Sequence, residues 1–134
     1  MTTANDILKK IKDEGIKYVD LRFTDPRGKL QHVTFDQTLI DEDIFEEGTM
    51  FDGSSIAGWK AINESDMVLM PDPNSSYMDP FFGASTLAIN CDVLDPLTYQ
   101  PYNRDPRTTA KKAEAYVKSS GLGDSVYFCP EPEF

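Results

Sequence analysis

The chain has 134 residues, 40% of them apolar, 11% aromatic and 27% charged, the proportions of an ordinary soluble globular protein with enough material for one core. Thirteen Lys and Arg stand against 23 Asp and Glu, a net charge of −10. A surface this acidic repels phosphate backbones and anionic lipid, which argues against nucleic-acid and membrane partners and reads first as a solubilising coat.

Residues 5–14 place Ile7, Leu8 and Ile11 at helical spacing, and Gly15 stands where such a helix stops. From Lys17 to Thr24 the period changes to two. Val19, Leu21 and Phe23 face one way, and Asp20, Arg22 and Thr24 the other. Asp25-Pro26-Arg27-Gly28 is a turn, and Lys29 to Phe35 is its partner strand in a hairpin. A short helical piece over 41–47, carrying Ile44 and Phe45, ends at Gly48. The stretch 49–64 reads as irregular. Met67 to Met70 is a compact apolar strand closed by Pro71-Asp72-Pro73-Asn74, and Thr86 to Val93 is another. A proline-containing connector over 95–103 precedes Asp105-Pro106, an N-cap followed by proline at the first helical position. The helix runs to about Ser120 with Ala110, Ala113 and Val117 on one face, and Gly121 and Gly123 release it into a strand over 126–129.

These elements predict an α+β fold: a sheet with a helix, then one further helix and strand. The boundary is expected near Asn103, giving units 1–103 and 104–134. The second is too small to bury its own core and must lean on the first or on further sequence. With no basic-then-apolar leader and no apolar run of bilayer length, a cytoplasmic location is expected. Cys91 and Cys129 sit in apolar, strand-like settings and read as buried thiols rather than a disulfide framework. Asn63-Glu64-Ser65 and Asn74-Ser75-Ser76 match glycosylation acceptors, which carry no weight without a secretion signal.

Two segments bear chemistry. After the apolar run Val126-Tyr127-Phe128 come Pro130-Glu131-Pro132-Glu133, whose two carboxylates would share one face of an extended strand, roughly 6.6 Å apart. Hard divalent cations favour such oxygen ligands, although an isolated pair of this kind is more often a solvated strand end. The second segment is Phe51-Asp52-Gly53-Ser54-Ser55-Ile56-Ala57-Gly58-Trp59. It has two glycines that admit a ligand to the backbone, an acid flanked by hydroxyls, and the only tryptophan. An ordinary loop with Trp59 folded back as a plug explains it equally well. Arg104 and Arg107 read as solvated cations rather than phosphate contacts, and His32, the only histidine, as structural.

Glu47 to Ile56, Gly58-Trp59-Lys60, Asn63-Glu64-Ser65-Asp66-Met67, Asn103-Arg104-Asp105-Pro106-Arg107 and the closing Pro130-Glu131-Pro132-Glu133-Phe134, in that order, resemble bacterial type I glutamine synthetase over its N-terminal quarter to third. The resemblance implies a β-grasp-like domain over 1–103 and the beginning of a catalytic domain over 104–134. It implies a ligase that makes glutamine from glutamate, ammonia and ATP through a γ-glutamyl phosphate, with Mg or Mn ions. It implies a homo-oligomer of two stacked hexameric rings in which this domain completes the neighbouring subunit's active site, so that the piece alone is inactive. By the same resemblance Glu131 and Glu133 are metal ligands, Asp52 binds ammonium and helps remove its proton with Ser55 beside it, and Asp66 and Trp59 are supporting residues. The other readings are a non-catalytic assembly or protein-interaction module and a sibling ligase joining glutamate to another amine.

Overall fold

The computed structural model describes residues 1–59 and 65–133. Lys60, Asn63 and Glu64 of the quoted motifs, with the first glycosylation acceptor, and Phe134 lie outside the described residues.

The first helix, α1 (Ala4–Asp13), opens on a reciprocal cap in which Thr3 Oγ1 accepts from the Asp6 amide while the Asp6 carboxylate accepts from the Thr3 amide. Its buried stripe is Ile7 and Ile11. The hairpin forms as its alternation predicts: β1 (Tyr18–Thr24) pairs antiparallel with β2 (Leu30–Asp36), Tyr18 opposite Asp36 and Thr24 opposite Leu30. Asp25 holds the turn, its carboxylate accepting from the amides of Arg27 and Lys29 and from Gln31 Nε2. A short helix, α2 (Asp43–Glu46), buries Ile44.

Residues 49–64 are not irregular throughout. Thr49–Asp52 form β3, antiparallel to β4 (Asp66–Pro71). The strand is only four residues long and its partner lies 14 or more residues away, so the local pattern carries no alternation long enough to betray it. Gly48, just before β3, has φ +76°, and a Cβ there would stand 2.5 Å from Val68 Cγ1 and 2.6 Å from the Leu69 carbonyl oxygen. Only glycine brings the chain from α2 this close to β4.

The centre of the sheet is β6 (Thr86–Leu94), with β5 (Tyr77–Met78) alongside it. The first half of β6 pairs in parallel with β1 and its second half antiparallel with β4, giving the order β2-β1-β6-β4-β3 in a six-stranded sheet among the described residues. Ile7 and Ile11 of α1 join Leu21, Met67, Leu87 and Ile89 in the core. Each such side chain contributes about 1.5–3 kcal/mol of burial. Cys91 is buried there as expected, and burial pushes its thiol up, away from reactivity.

The opposite face of β1 is covered as well. Asp20 and Arg22 are 0% and 8% exposed. Arg22 Nε donates to Asp20 Oδ2 at 2.7 Å, and its two terminal nitrogens donate to the Tyr77 hydroxyl and to Asp79. Asp20 Oδ1 also accepts from Thr34 Oγ1 and lies 2.8 Å from His32 Nδ1, which gives His32 a structural partner. The sequence offers alternation but no sign that both faces are covered, because the cover comes from Tyr77 and Asp79, more than 50 residues on.

The last helix, α3 (Pro106–Ser119), is capped by Asp105 as expected. This carboxylate is wholly buried; it accepts from the amides of Arg107 and Thr108, from Thr108 Oγ1 and from the Val93 amide of β6. Arg107, expected to be solvated, pairs with Asp72 and lies with its Nε 2.9 Å from Asp92, which Lys111 also engages. The helix is thus held by its N-terminal turns. Its expected apolar face is uncovered: Ala110 and Ala113 are exposed and Val117 is half-buried. The strand expected over 126–129 does not form. Those residues pair with no strand, and Tyr127 and Phe128 are 91% and 86% exposed, as an extended segment without a ladder partner must be. Cys129 is therefore exposed, not buried.

Arg22→Met leaves Asp20 and Asp79 without their shared cation and is expected to cost about 3 kcal/mol in denaturant unfolding. Burial pushes the Asp20 carboxyl up, but the hydrogen bonds from Thr34, Arg22 and His32 outweigh it and hold the group below its ordinary value. A carboxyl depressed in the folded state stabilises fully above its unfolded pKa, roughly 3.9, and loses that contribution as pH falls through the folded value. Stability below about pH 4 should accordingly fall less steeply in Asp20→Asn than in the parent.

Candidate functional site

The chemistry of the tryptophan loop starts from a register. In the β3–β4 pair, Asp52 stands directly opposite Asp66, and both side chains are exposed. One step further, the Gly53 amide donates to the Ser65 carbonyl at 2.6 Å, which makes 53–65 the hydrogen-bonded position. Asp52 and Asp66 then occupy the non-hydrogen-bonded position, where opposed Cα atoms approach to roughly 4.5 Å and side chains are closest. Like charges placed opposite each other destabilise a sheet. No ion pair offsets them among the described residues.

Asp52 also ends its strand. Its Oδ1 accepts from the Ser54 amide at 2.8 Å and the Ser54 hydroxyl at 2.6 Å, capping a single tight turn over Gly53–Ser55. Asp36 and Asp72 cap two similar turns in the same way, so this half of the Asp52 carboxylate does local structural work. Oδ2 is the freer atom, with the Ser55 hydroxyl at 3.4 Å. The side chain and then the amide of Ser54, helped by Ser55 and Ser65, hold the Asp52 carboxyl below its usual range. It is an anion throughout the neutral range, on an exposed side chain with a second carboxylate opposite it. Such a pair attracts a cation.

Behind this rim the loop is folded inward. Trp59 is 4% exposed, the plug rather than a surface ring. It stacks on Phe23 at 5.5 Å and meets Phe51 and Tyr102 edge-on at 5.9 and 5.7 Å. Phe51 precedes Asp52, so the contact between Phe51 and Trp59 ties the end of the loop to its beginning. The connector closes the arrangement from the other side: the Tyr102 hydroxyl donates to the Trp59 carbonyl, and Arg104 donates to the carbonyls of Gly58 and Trp59. Arg104 is exposed, as expected of a solvated cation, and also anchors the loop. No local sequence signal marks it, because its acceptors are backbone atoms 45 and 46 residues away.

Glu131 and Glu133 lie in the exposed segment after α3. No group of three or more His, Cys, Asp or Glu that could hold a metal ion occurs among the described residues. The two glutamates are hard oxygen donors, chemically suited to Mg or Mn, but supply only part of a shell of about six.

Comparison with known proteins follows the same lines. The glutamine synthetase β-grasp domain family matches residues 15–96. Over all 134 residues the chain is 68% identical to the glutamine synthetase of Rhizobium meliloti and 72% identical to that of Bradyrhizobium diazoefficiens, in each case covering 29% of the relative. The chain therefore spans less than a third of the length of these curated relatives. Among solved structures, the glutamine synthetase of Plasmodium falciparum superposes with a TM-score of 0.81 at 26% identity, over 90% of this chain and 23% of that one. No helix among the described residues is long and apolar enough to cross a membrane.

If the opposed carboxylates are an uncompensated charge pair, Asp66→Asn should raise the melting temperature slightly at low ionic strength, and the gain should shrink as salt is added. A fall in melting temperature at low salt would show that the pair is already compensated.

Proposed function

The chain belongs to the glutamine synthetase family, and we propose that it is the N-terminal part of an ATP-dependent ligase that joins ammonia to glutamate through a γ-glutamyl phosphate. Residues 1–103 form the β-grasp domain in this reading and residues 104–134 begin the catalytic domain, whose remainder would cover the open face of α3. The observation that carries the reading is the placement of Asp52 directly opposite Asp66, both exposed, at the lip of the Gly53–Trp59 loop.

Ammonia reaches an enzyme at neutral pH mainly as ammonium, and must attack as the neutral amine. Capture calls for a fixed anion, which Asp52 supplies through Oδ2, with Ser55 beside it and Asp66 deepening the local negative field. Removing the proton calls for a better base than an exposed, hydrogen-bonded carboxylate. Closing the site against a neighbouring subunit would desolvate Asp52 and raise its proton affinity at the moment the amine is needed. The same closure keeps water from the acyl phosphate. In this reading the domain completes a site in the next subunit of a homo-oligomer of two stacked hexameric rings, while Trp59 keeps the loop in shape from within.

Glu131 and Glu133 would hold divalent ions, Mg or Mn, together with ligands from the rest of the enzyme. Bound there, such ions neutralise the charge of the transferring phosphoryl group. The isolated 134-residue chain lacks the nucleotide and glutamate pockets in this reading and should form no glutamine.

In the full-length enzyme, Asp52→Ala should lower ammonia-dependent synthesis by about 10²–10⁴-fold while ATP binding, followed by calorimetry, stays near the parent value. An unaltered dependence of rate on ammonium in that variant would remove Asp52 from the reaction. Glu131→Gln and Glu133→Gln should each weaken magnesium or manganese binding in the same calorimeter, and unchanged metal isotherms would remove these two from the ligand set.

A further inference from the structure

The residue that fixes the loop behind Asp52 lies outside the loop. Gly58 has φ +88°, a left-handed conformation, and its carbonyl and that of Trp59 both accept from one nitrogen of Arg104. Arg104 Nη1 stands 2.8 Å from the Gly58 oxygen and 3.1 Å from the Trp59 oxygen, and the Tyr102 hydroxyl reaches the latter at 3.1 Å. Two successive carbonyls converging on one point form a small cation site, and the guanidinium fills it.

The platform under Arg104 is rigid. On one side the Tyr102 amide donates to the Val93 carbonyl at 2.9 Å; on the other the buried Asp105 carboxylate accepts from the Val93 amide. Both bonds go to the same residue of β6, so the backbone carrying Arg104 is stapled to the central strand. From there the contacts run from Arg104 to the Trp59 carbonyl, from the Trp59 ring to Phe51, and along β3 to Asp52.

We infer that Arg104 is a positioning residue for ammonium capture: by holding the carbonyls of Gly58 and Trp59 to the connector, it fixes the loop from which Asp52 projects. The inference rests on the reading of Asp52 as the ammonium-binding carboxylate. Arg104 touches no reacting atom. It removes conformational freedom from the loop before the substrate arrives, so its loss should appear in the ammonium KM more than in kcat at saturation.

The mode of contact makes a discriminating variant available. A guanidinium usually surpasses lysine through its two-pronged fork. Here one nitrogen serves both acceptors, which an ammonium group can imitate. Arg104→Lys should therefore retain most of the function that Arg104→Ala loses.

The test uses the full-length enzyme, with steady-state kinetics for each substrate and hydrogen exchange over residues 53–59. For Arg104→Ala the ammonium KM should rise about tenfold, the scale of one lost charge-assisted hydrogen bond, with the ATP and glutamate KM values within about twofold. Exchange over 53–59 should quicken, and Arg104→Lys should restore both readouts most of the way. Unchanged exchange in Arg104→Ala overturns the inference. So does an unchanged ammonium KM where Asp52→Ala does impair ammonium use, or an Arg104→Lys enzyme as impaired as Arg104→Ala. Should Asp52→Ala itself leave the ammonium dependence intact, the reading of Asp52 fails, and the positioning role falls with it.

Discussion

A slip of β3 by one residue against β4 would turn Asp52 toward the core and Phe51 toward water, because side chains alternate along a strand. Everything at the candidate site depends on that register. It is fixed by apolar burial on one face, where Phe51 lies opposite Met67, which is 0% exposed, and Thr49 opposite Leu69. It is fixed at its start by Gly48, whose missing side chain lets the chain pass over Val68 and the Leu69 carbonyl. The core thus dictates the opposition of two carboxylates that repel each other. Hydrophobic order on the inner face sustains an electrostatic cost on the outer one, and in the reading proposed that cost serves ammonium capture.

The molecule handles buried charge differently elsewhere. Asp20 and Arg22 sit on the covered face of β1, yet every strong donor and acceptor there has a partner: Thr34, His32, Tyr77 and Asp79 close the network. Asp105 is wholly buried and receives four donors. Satisfied carboxylates of this kind are structural. Asp52 has spent one oxygen on a turn, its other oxygen lies 3.4 Å from the Ser55 hydroxyl, and both it and Asp66 opposite are exposed. Comparing these acids separates those that build the fold from those left to act.

What could be read from the sequence follows the range of the interactions. The helix at 4–13, the hairpin at 18–36, strand 86–94 and the capped helix at 106–119 all come from local signals: period, turn chemistry and caps within four residues. Strand 49–52 and the two-residue strand 77–78 exist only through distant partners, and local periodicity is silent on them. The segment 126–129 shows the reverse, for it has apolar strand character but no strand beside it. At the site, Asp52 and Trp59 stand out by residue type and loop composition, whereas Arg104 looks like any surface cation. Its role lies in two backbone carbonyls that no side-chain pattern encodes.

The division between loop and anchor bears on how such a domain can serve a site it does not contain. In the reading proposed, a carboxylate that meets a substrate held by another subunit cannot be aimed by that substrate beforehand, so its aim has to be built into its own chain. The Gly53–Trp59 loop is too short of apolar side chains to hold itself, apart from Ile56 and Trp59. Those two turn inward, and the remaining freedom at Gly58 is removed by Arg104 and Tyr102 from the connector. Because the same connector begins α3, whose N-terminal turns are tied to β6 by Asp105 and to Asp72 and Asp92 by Arg107, the start of the helix and the anchor of the loop share one support on the sheet. In the reading proposed, the connector over 95–103 and Arg104 thus support the site as well as link β6 to α3.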